Sequence, residues 1–330
     1  MKTILAAVVL FSAVLVSSYF QVDAQLQVGY YNDKCYLAEY IVKDEVHKAF
    51  ARNPGLAAGL VRMHFHDCFV RGCDGSVLID STPSNTAEKD SSINNPSLRG
   101  FEVIDSAKAR IEAVCKGVVS CADILAFAAR DSVEVNGGCG YEVPAGRKDG
   151  RVSLASDTFT NLPPPTDTLD KLTSSFSNKG LTQDDLITLY GAHTIGRSHC
   201  TSFTSRLYNF SATATQDPTL DASYASVLKQ QCPNPKFFND TNLVVPMDPT
   251  TPTVFDVNYY SNVLNNKGLF TSDQTLLSST VTGNLIRQNV ANPSLWERKF
   301  AAAIVKMGQI QVLTGSAGEI RANCRVINKN

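Results

Sequence analysis

The chain has 330 residues, 43% of them hydrophobic, with 30 Lys and Arg set against 31 Asp and Glu. That is enough apolar content for one large core or two modest ones. A formal net charge of -1 with no basic block excludes a nucleic-acid footprint and a polybasic membrane patch.

The N-terminus carries Lys2, an apolar run from Ile4 to Val16, and then Val22-Asp23-Ala24. This is the pattern of a secretory signal, so residues 1–24 are expected to be a signal peptide cut after Ala24. A membrane anchor is the alternative, but the run is short for a span and no other long apolar segment follows. Export makes the nine cysteines readable. Cys35, Cys68, Cys73, Cys115, Cys121, Cys139, Cys200, Cys232 and Cys324 form a disulfide framework with one thiol left over. Spacing suggests only that Cys68 and Cys73 close a short loop. The sequons Asn209-Phe210-Ser211 and Asn239-Asp240-Thr241 suit N-glycans on a surface.

Helical patterns dominate the rest. Phe101, Ile104, Ile111 and Val114 keep helical spacing. Ser120 and Asp123 start an alanine-rich helix that runs toward Asn136-Gly137-Gly138. Pro163-Pro164-Pro165 interrupts the pattern and is a plausible seam between lobes of roughly 25–165 and 166–330. Thr182 with Asp185 opens a helix expected to carry Leu186, Leu189, Tyr190 and His193. Asn292-Pro293 caps a last helix containing Phe300, Ile304 and Met307. Alternating strand patterns are few and short, so the fold class is all-α.

Two segments carry chemistry. In Arg62-Met63-His64-Phe65-His66-Asp67-Cys68, Arg62 and His66 are four apart and share one helix face. A base that moves a peroxide proton and a fixed cation that steadies the departing hydroxide need those two side chains. Read alone, the segment also admits simple packing, or zinc on His64, His66 and Cys68. Against zinc, ligands at i and i+2 point to different faces, and an exported cysteine tends to be oxidised. Asp67, Asp74, Ser76 and the carbonyls of Val70 and Gly72 offer hard oxygens suited to calcium, though without EF-hand spacing; a solvated acidic turn is the alternative. His193, in Gly191-Ala192-His193-Thr194-Ile195-Gly196, can bind a metal or simply be buried. Thr194, Asp248, Thr251 and Asp256 give a second set of oxygens, and Asp273 can accept a proton from His193.

Together these residues resemble the class III plant secretory haem peroxidases, the horseradish peroxidase-like family. The resemblance covers the chain from Gln25 to just past Cys324. The segments around His66 and His193 look like the family's distal and proximal haem signatures. Thr86-Ala87-Glu88-Lys89-Asp90, Ser120-Cys121-Ala122-Asp123 and Gly146-Arg147-Lys148-Asp149 fit as well. The resemblance implies a haem peroxidase fold whose two lobes, distal and proximal, enclose haem b. It makes His66 the distal base, Arg62 its electrostatic partner and Phe65 a cover for the haem. Asn94 would hold the far nitrogen of His66, and Glu88 would link that network to a calcium site. His193 would be the axial ligand, backed by Asp273. Two Ca2+ are implied, one on Asp67, Val70, Gly72, Asp74 and Ser76, the other on Thr194, Asp248, Thr251, Val254 and Asp256. The Pro163 carbonyl is expected near reducing substrates, and Asp123 with Arg147 is expected to form a structural ion pair. The implied disulfides are Cys35–Cys115, Cys68–Cys73, Cys121–Cys324 and Cys200–Cys232, leaving Cys139 unpaired.

Three departures bear on function. The sole tryptophan, Trp296, falls in a late helix, and Met247 precedes Asp248 where the intracellular enzymes carry tryptophan. Ser92, Thr166 and Ser202 stand where the horseradish enzyme has phenylalanines. The chain stops six residues after Cys324, without a long vacuolar extension. The implied activity is oxidation of small phenolic donors by hydrogen peroxide, in one-electron steps through ferryl haem. The implied setting is the cell wall or extracellular space, with the vacuole as alternative, and the implied state is a monomer. A non-catalytic scaffold is disfavoured by the intact Arg62, His66, Asn94, His193 and Asp273. An ascorbate-type enzyme is disfavoured by the signal segment, the cysteines and the missing proximal tryptophan.

Overall fold

The apolar spacing of the first half becomes four helices: α1 (Ala38–Arg52), α2 (Gly55–Val70), α3 (Phe101–Val114) and α4 (Cys121–Val135). Ile41, Val42 and Val46 of α1, Leu60 and Met63 of α2, Ile104 and Ile111 of α3, and Leu125 and Phe127 of α4 bury one core. Val42 and Val46 are four apart and Leu60 and Met63 three apart, the spacing of one helix face, whereas α4 is buried on nearly every side. The structure is a computed structural model and describes residues 25–238 and 240–329. The expected signal peptide and Asn239 lie outside the described residues. No helix among the described residues is long and apolar enough to cross a membrane.

The rest of the chain adds α5 (Ala155–Asn161), α6 (Leu169–Asn178), α7 (Gln183–Tyr190), α8 (Thr204–Tyr208), α9 (Ala222–Gln231), α10 (Asn258–Leu264), α11 (Thr271–Gln274), α12 (Thr280–Ala291) and α13 (Pro293–Met307). A single antiparallel pair, β1 (Arg197–His199) with β2 (Val244–Pro246), sets Ser198 opposite Val245. The second core joins Phe176 of α6, Leu186 and Ile187 of α7, Tyr260 of α10 and Trp296 of α13 to Val61 and Phe69 of α2. Helix α2 therefore serves both cores. A helix hydrophobic on nearly all sides belongs inside a protein.

Side-chain caps start four of these helices, α4, α7, α9 and α12. The Ser120 hydroxyl accepts from Asp123 N at 3.1 Å, and Thr182 and Asp185 cap each other reciprocally. Two expectations need correction. Helix α7 stops at Tyr190, and His193 sits in a following 3-10 turn, Gly191–Thr194. That turn releases His193 from the helical stripe. Helix α13 does start at Pro293, but the Asn292 side chain donates back to Gln288 O at 3.3 Å and does not cap it.

After Met307 the chain returns to the first core. Lys148 bridges Leu313, Asp149 bridges Glu319, and Arg321 Nη2 donates to Gly75 O at 2.6 Å. Four disulfides fix the frame: Cys35–Cys115, Cys68–Cys73, Cys121–Cys324 and Cys200–Cys232. The pairing of Cys68 overturns the zinc reading, because a disulfide sulfur is not a thiolate ligand. Cys139 is free and half-buried.

Candidate active site

Beyond its first turn, helix α2 is buried except at Ala58, Arg62 and Phe65, which are half-buried. These positions are four and three apart, so they form one stripe along the helix and mark its one open face. His66 stands beside that stripe, 5% exposed. Its Nδ1 lies 2.7 Å from Asn94 Oδ1, and Asn94 Nδ2 donates to Glu88 O at 2.8 Å. A backbone carbonyl only accepts, so the amide nitrogen must face Glu88 and the amide oxygen must face His66. The network thereby assigns the His66 proton to Nδ1 and leaves Nε2 with its lone pair. Burial, then the charge of Arg62, hold the His66 imidazole well below its ordinary pKa against the opposing Asn94 bond. Arg62 donates to Ser97 Oγ at 2.9 Å and to Ile93 O at 3.3 Å. Burial and the nearby Arg99 lower its pKa to about 10, so it keeps its charge at neutral pH.

The second histidine has the same plan with a different partner. His193 Nδ1 lies 2.7 Å from Asp273 Oδ1, and Asp273 Oδ2 accepts from Phe270 N at 2.8 Å. Asp273 is fully buried while the His193 side chain is 33% exposed. A carboxylate accepts, so His193 donates from Nδ1 and presents Nε2.

Aromatic rings join the two halves of the site. Phe65 stacks on Phe176 at 6.5 Å, Phe176 meets Tyr190 at 6.3 Å, and Tyr190 meets His193 at 5.2 Å. Gly196, just after His193, approaches Ala58 so closely that an added Cβ would lie 3.1 Å from the Ala58 Cβ. The His193 turn thus abuts the open stripe of α2. Pro163, expected at the mouth, is half-buried, and Thr166 and Ser92 are exposed. The proline segment docks on α11, with Ser272 N donating to Pro165 O at 3.0 Å.

Side chains from each of the two oxygen sets also come together. Asp67 accepts from Gly75 N at 3.0 Å, and Asp74 from Ser76 N at 2.9 Å. Ser76 Oγ and both Glu88 carboxylate oxygens are buried without a partner. Burial, then the charge of Asp74, push the Glu88 carboxyl up to about 8, and Asp67 rises well above its usual value for the same two reasons. Buried carboxylates crowded together, whose raised values outweigh the nearby Arg321 and Arg71, are what a cation would relieve. On the other side, Thr194 Oγ1 donates to Asp256 Oδ1 at 2.9 Å, and Thr251 Oγ1 lies 2.9 Å from Asp248 Oδ2 and 2.8 Å from Asp256 Oδ2. Val254 N donates to Thr251 O at 3.0 Å, which tucks that backbone into the same loop. Among the described residues no three His, Cys, Asp or Glu side chains converge as a metal cluster. Each expected calcium set holds two carboxylates and relies on hydroxyl and backbone oxygens for the rest.

The Asp123–Arg147 pair forms at 2.7 Å with both side chains buried. Sequence reading missed Ser97 as the Arg62 partner, Ser153, whose Oγ accepts from Glu88 N at 3.0 Å, and Tyr259, whose hydroxyl donates to Asp273 Oδ1 at 3.1 Å.

Comparison with known proteins agrees with this geometry. A family profile described as Peroxidase matches residues 42–292. The chain is 72% identical over 308 residues to Peroxidase 5 of Vitis vinifera, covering 93% of each chain. It is 52% identical to Peroxidase 1 of Zea mays, over 92% of this chain and 84% of that one. It is 48% identical to Peroxidase 3 of Arabidopsis thaliana, over 99% of this chain and 100% of that one. With matches of this length on a helical, four-disulfide fold, the chain belongs to the peroxidase family as a class III plant peroxidase, a haem enzyme that oxidises reducing substrates with hydrogen peroxide.

Proposed function

We propose that this peroxidase oxidises small aromatic donors, phenols above all, one electron at a time, outside the cell in the wall or extracellular space. The observation that carries the assignment of roles is the contrast between its two histidines. Both engage Nδ1 and free Nε2, but an amide backs His66 and a carboxylate backs His193. A neutral amide keeps His66 a neutral base. A carboxylate makes His193 an electron-rich ligand suited to iron.

The residues present fit a haem. His193 offers Nε2, and the stripe of Ala58, Arg62 and Phe65 offers an apolar face with one cation. When bound, haem supplies the redox centre that takes two oxidising equivalents from peroxide and passes them on singly. His66 Nε2 removes the proton from one peroxide oxygen and hands it to the departing one. Arg62 stabilises the hydroxide that forms there. Phe65 keeps water and bulky donors off that face, and Asn94 holds the His66 tautomer. Glu88 ties this network to the calcium set of Asp67, Val70, Gly72, Asp74 and Ser76. Thr194, Asp248, Thr251, Val254 and Asp256 would hold a second calcium. The Pro163 carbonyl accepts a hydrogen bond from the phenol at the mouth. Ser92, Thr166 and Ser202 make that mouth less aromatic, which weakens or shifts donor preference. The protein works as a monomer of two lobes, 25–165 and 166–330, with glycans on Asn209 and Asn239.

An absorption spectrum of the haem-loaded protein, before and after one equivalent of peroxide, tests this reading. A Soret band that weakens and recovers on adding a phenol supports it. A band that ignores peroxide leaves haem binding without this chemistry. No band after haem addition removes the role of His193.

A further inference from the structure

Asp273 has more donors than an axial histidine requires. His193 Nδ1 and the Tyr259 hydroxyl both reach Oδ1, at 2.7 Å and 3.1 Å, while Phe270 N occupies Oδ2 at 2.8 Å. Asp273 is 0% exposed and Tyr259 2% exposed, so bulk water does not compete for that oxygen. The Tyr259 ring stands edge-on to the imidazole, with centroids 5.7 Å apart and planes at 89°. That packing keeps its hydroxyl on the carboxylate.

We propose that Tyr259 tunes the proximal histidine: by donating to the oxygen that accepts from His193, it limits how far Asp273 draws the imidazole toward imidazolate. The proposal rests on the reading of His193 as the iron ligand. A carboxylate oxygen shared by two donors binds each less strongly than it binds one alone. The carboxylate behind a ligating histidine raises its basicity, and that basicity is a lever on the metal's potential. Tyr259 is thus a positioning residue that acts through Asp273 and touches neither peroxide nor donor. The neighbouring Tyr260 provides a control, because its hydroxyl donates to Ile187 O at 2.8 Å and not to Asp273.

The test uses the haem-loaded full chain and two readouts besides turnover: the ferric–ferrous midpoint potential and the iron–imidazole stretch in resonance Raman. Tyr259→Phe is expected to lower the potential and raise the stretching frequency, while Tyr260→Phe moves neither. Because Tyr259→Phe removes a buried hydroxyl and could fail to fold, 3-fluorotyrosine at position 259 gives an independent arm. Its more acidic hydroxyl donates more strongly, so both readouts should move the opposite way. Readouts in either arm equal to those of the parent protein overturn the proposal. A parent protein that binds haem but shows no iron–imidazole stretch overturns the assignment of His193 instead.

Discussion

His66 and Asn94 form a one-way hydrogen bond. The 2.8 Å contact of Asn94 Nδ2 with Glu88 O fixes the amide, and the 2.7 Å contact of Asn94 Oδ1 then fixes the imidazole proton on Nδ1. Its Nε2 is therefore a base at neutral pH, and His66→Leu should slow the reaction with peroxide by about 100- to 10,000-fold. Since burial and Arg62 hold the imidazole well below its ordinary pKa, that rate should stay flat through neutrality. It should fall only as the pH drops through the depressed value. Asn94→Asp sets a carboxylate against Nδ1 and raises the pKa, so the acid limb should move to higher pH. Stopped-flow rates of the Soret change across pH check both statements, and an unmoved limb would assign it to another group.

The Asp123–Arg147 pair tests how the site's scaffold is held. Asp123 Oδ1 accepts from Arg147 Nη1 at 2.7 Å, and its Oδ2 accepts from Tyr31 and from Gly146 N, each at 2.7 Å. Asp123→Ala leaves a buried guanidinium with only carbonyl partners, which costs about 3–5 kcal/mol. Asp123→Leu combined with Arg147→Met should recover part of that loss. Denaturant midpoints of the single and double variants give the comparison, and additive losses would mean that the charges do not interact.

Calcium dependence is the outcome expected from the proposed site, where the orphaned oxygens of Ser76 and Glu88 stand beside Asp67 and Asp74. A cation that binds only the folded state adds stability by mass action, about 2.7 kcal/mol at a hundred times its dissociation constant. Exhaustive chelation should lower the thermal midpoint by several degrees, and calcium should restore it. If chelation leaves the midpoint, the haem spectrum and the activity unchanged, the ions are not structural here.

Cys139 is the remaining thiol. Its Sγ donates to Glu297 O at 3.3 Å, and burial with the Glu297 charge raises its pKa. A protonated, half-buried thiol reacts slowly. Thiol titration should find one group per unfolded, unreduced chain and a much slower one in the folded protein. No thiol in the unfolded chain would indicate a bridge between molecules.

Local signals carried the parts of the fold that depend on neighbours in sequence. Ser120 and Thr182 start α4 and α7 because a cap is a three-residue event, legible from residue types alone. Arg62 and His66 share a face because helix geometry dictates it. Contacts across the chain were legible only through the resemblance. His193 meets Asp273 80 residues away, and Thr194 meets Asp256 62 residues away. Tyr259 was illegible because a tyrosine next to Tyr260 in a short helix reads as core, and nothing in its spacing tells where the hydroxyl points. The early end of α7 was legible and missed. Gly191, directly after Tyr190, was the stop signal passed over, and an added Cβ there would lie 2.6 Å from Trp296 and 2.7 Å from the Tyr260 hydroxyl.

His64, two residues from the distal base, gives a pH signature of stability that is separate from catalysis. It lies on the buried side of α2, 3% exposed, with Nδ1 at 3.7 Å from the Cys68 sulfur. Burial, then the charge of Arg147, lower its pKa from 6.5 to about 3. The unfolded chain therefore binds a proton below pH 6.5 that the folded chain refuses until about pH 3. Stability rises with pH wherever the unfolded state holds more protons, so this residue's contribution is complete above pH 6.5 and is lost as the pH falls toward 3. Within that window the loss approaches about 1.4 kcal/mol per pH unit. Carboxyls raised by burial, such as Glu88, act with the opposite sign, so the parent curve alone mixes the two. His64→Gln removes only the imidazole titration. Urea unfolding at a series of pH values from 7 down to 4 should show the parent losing stability faster than the variant, with the curves converging in slope above pH 6.5. Parallel curves throughout would mean that His64 takes up its proton inside the folded protein.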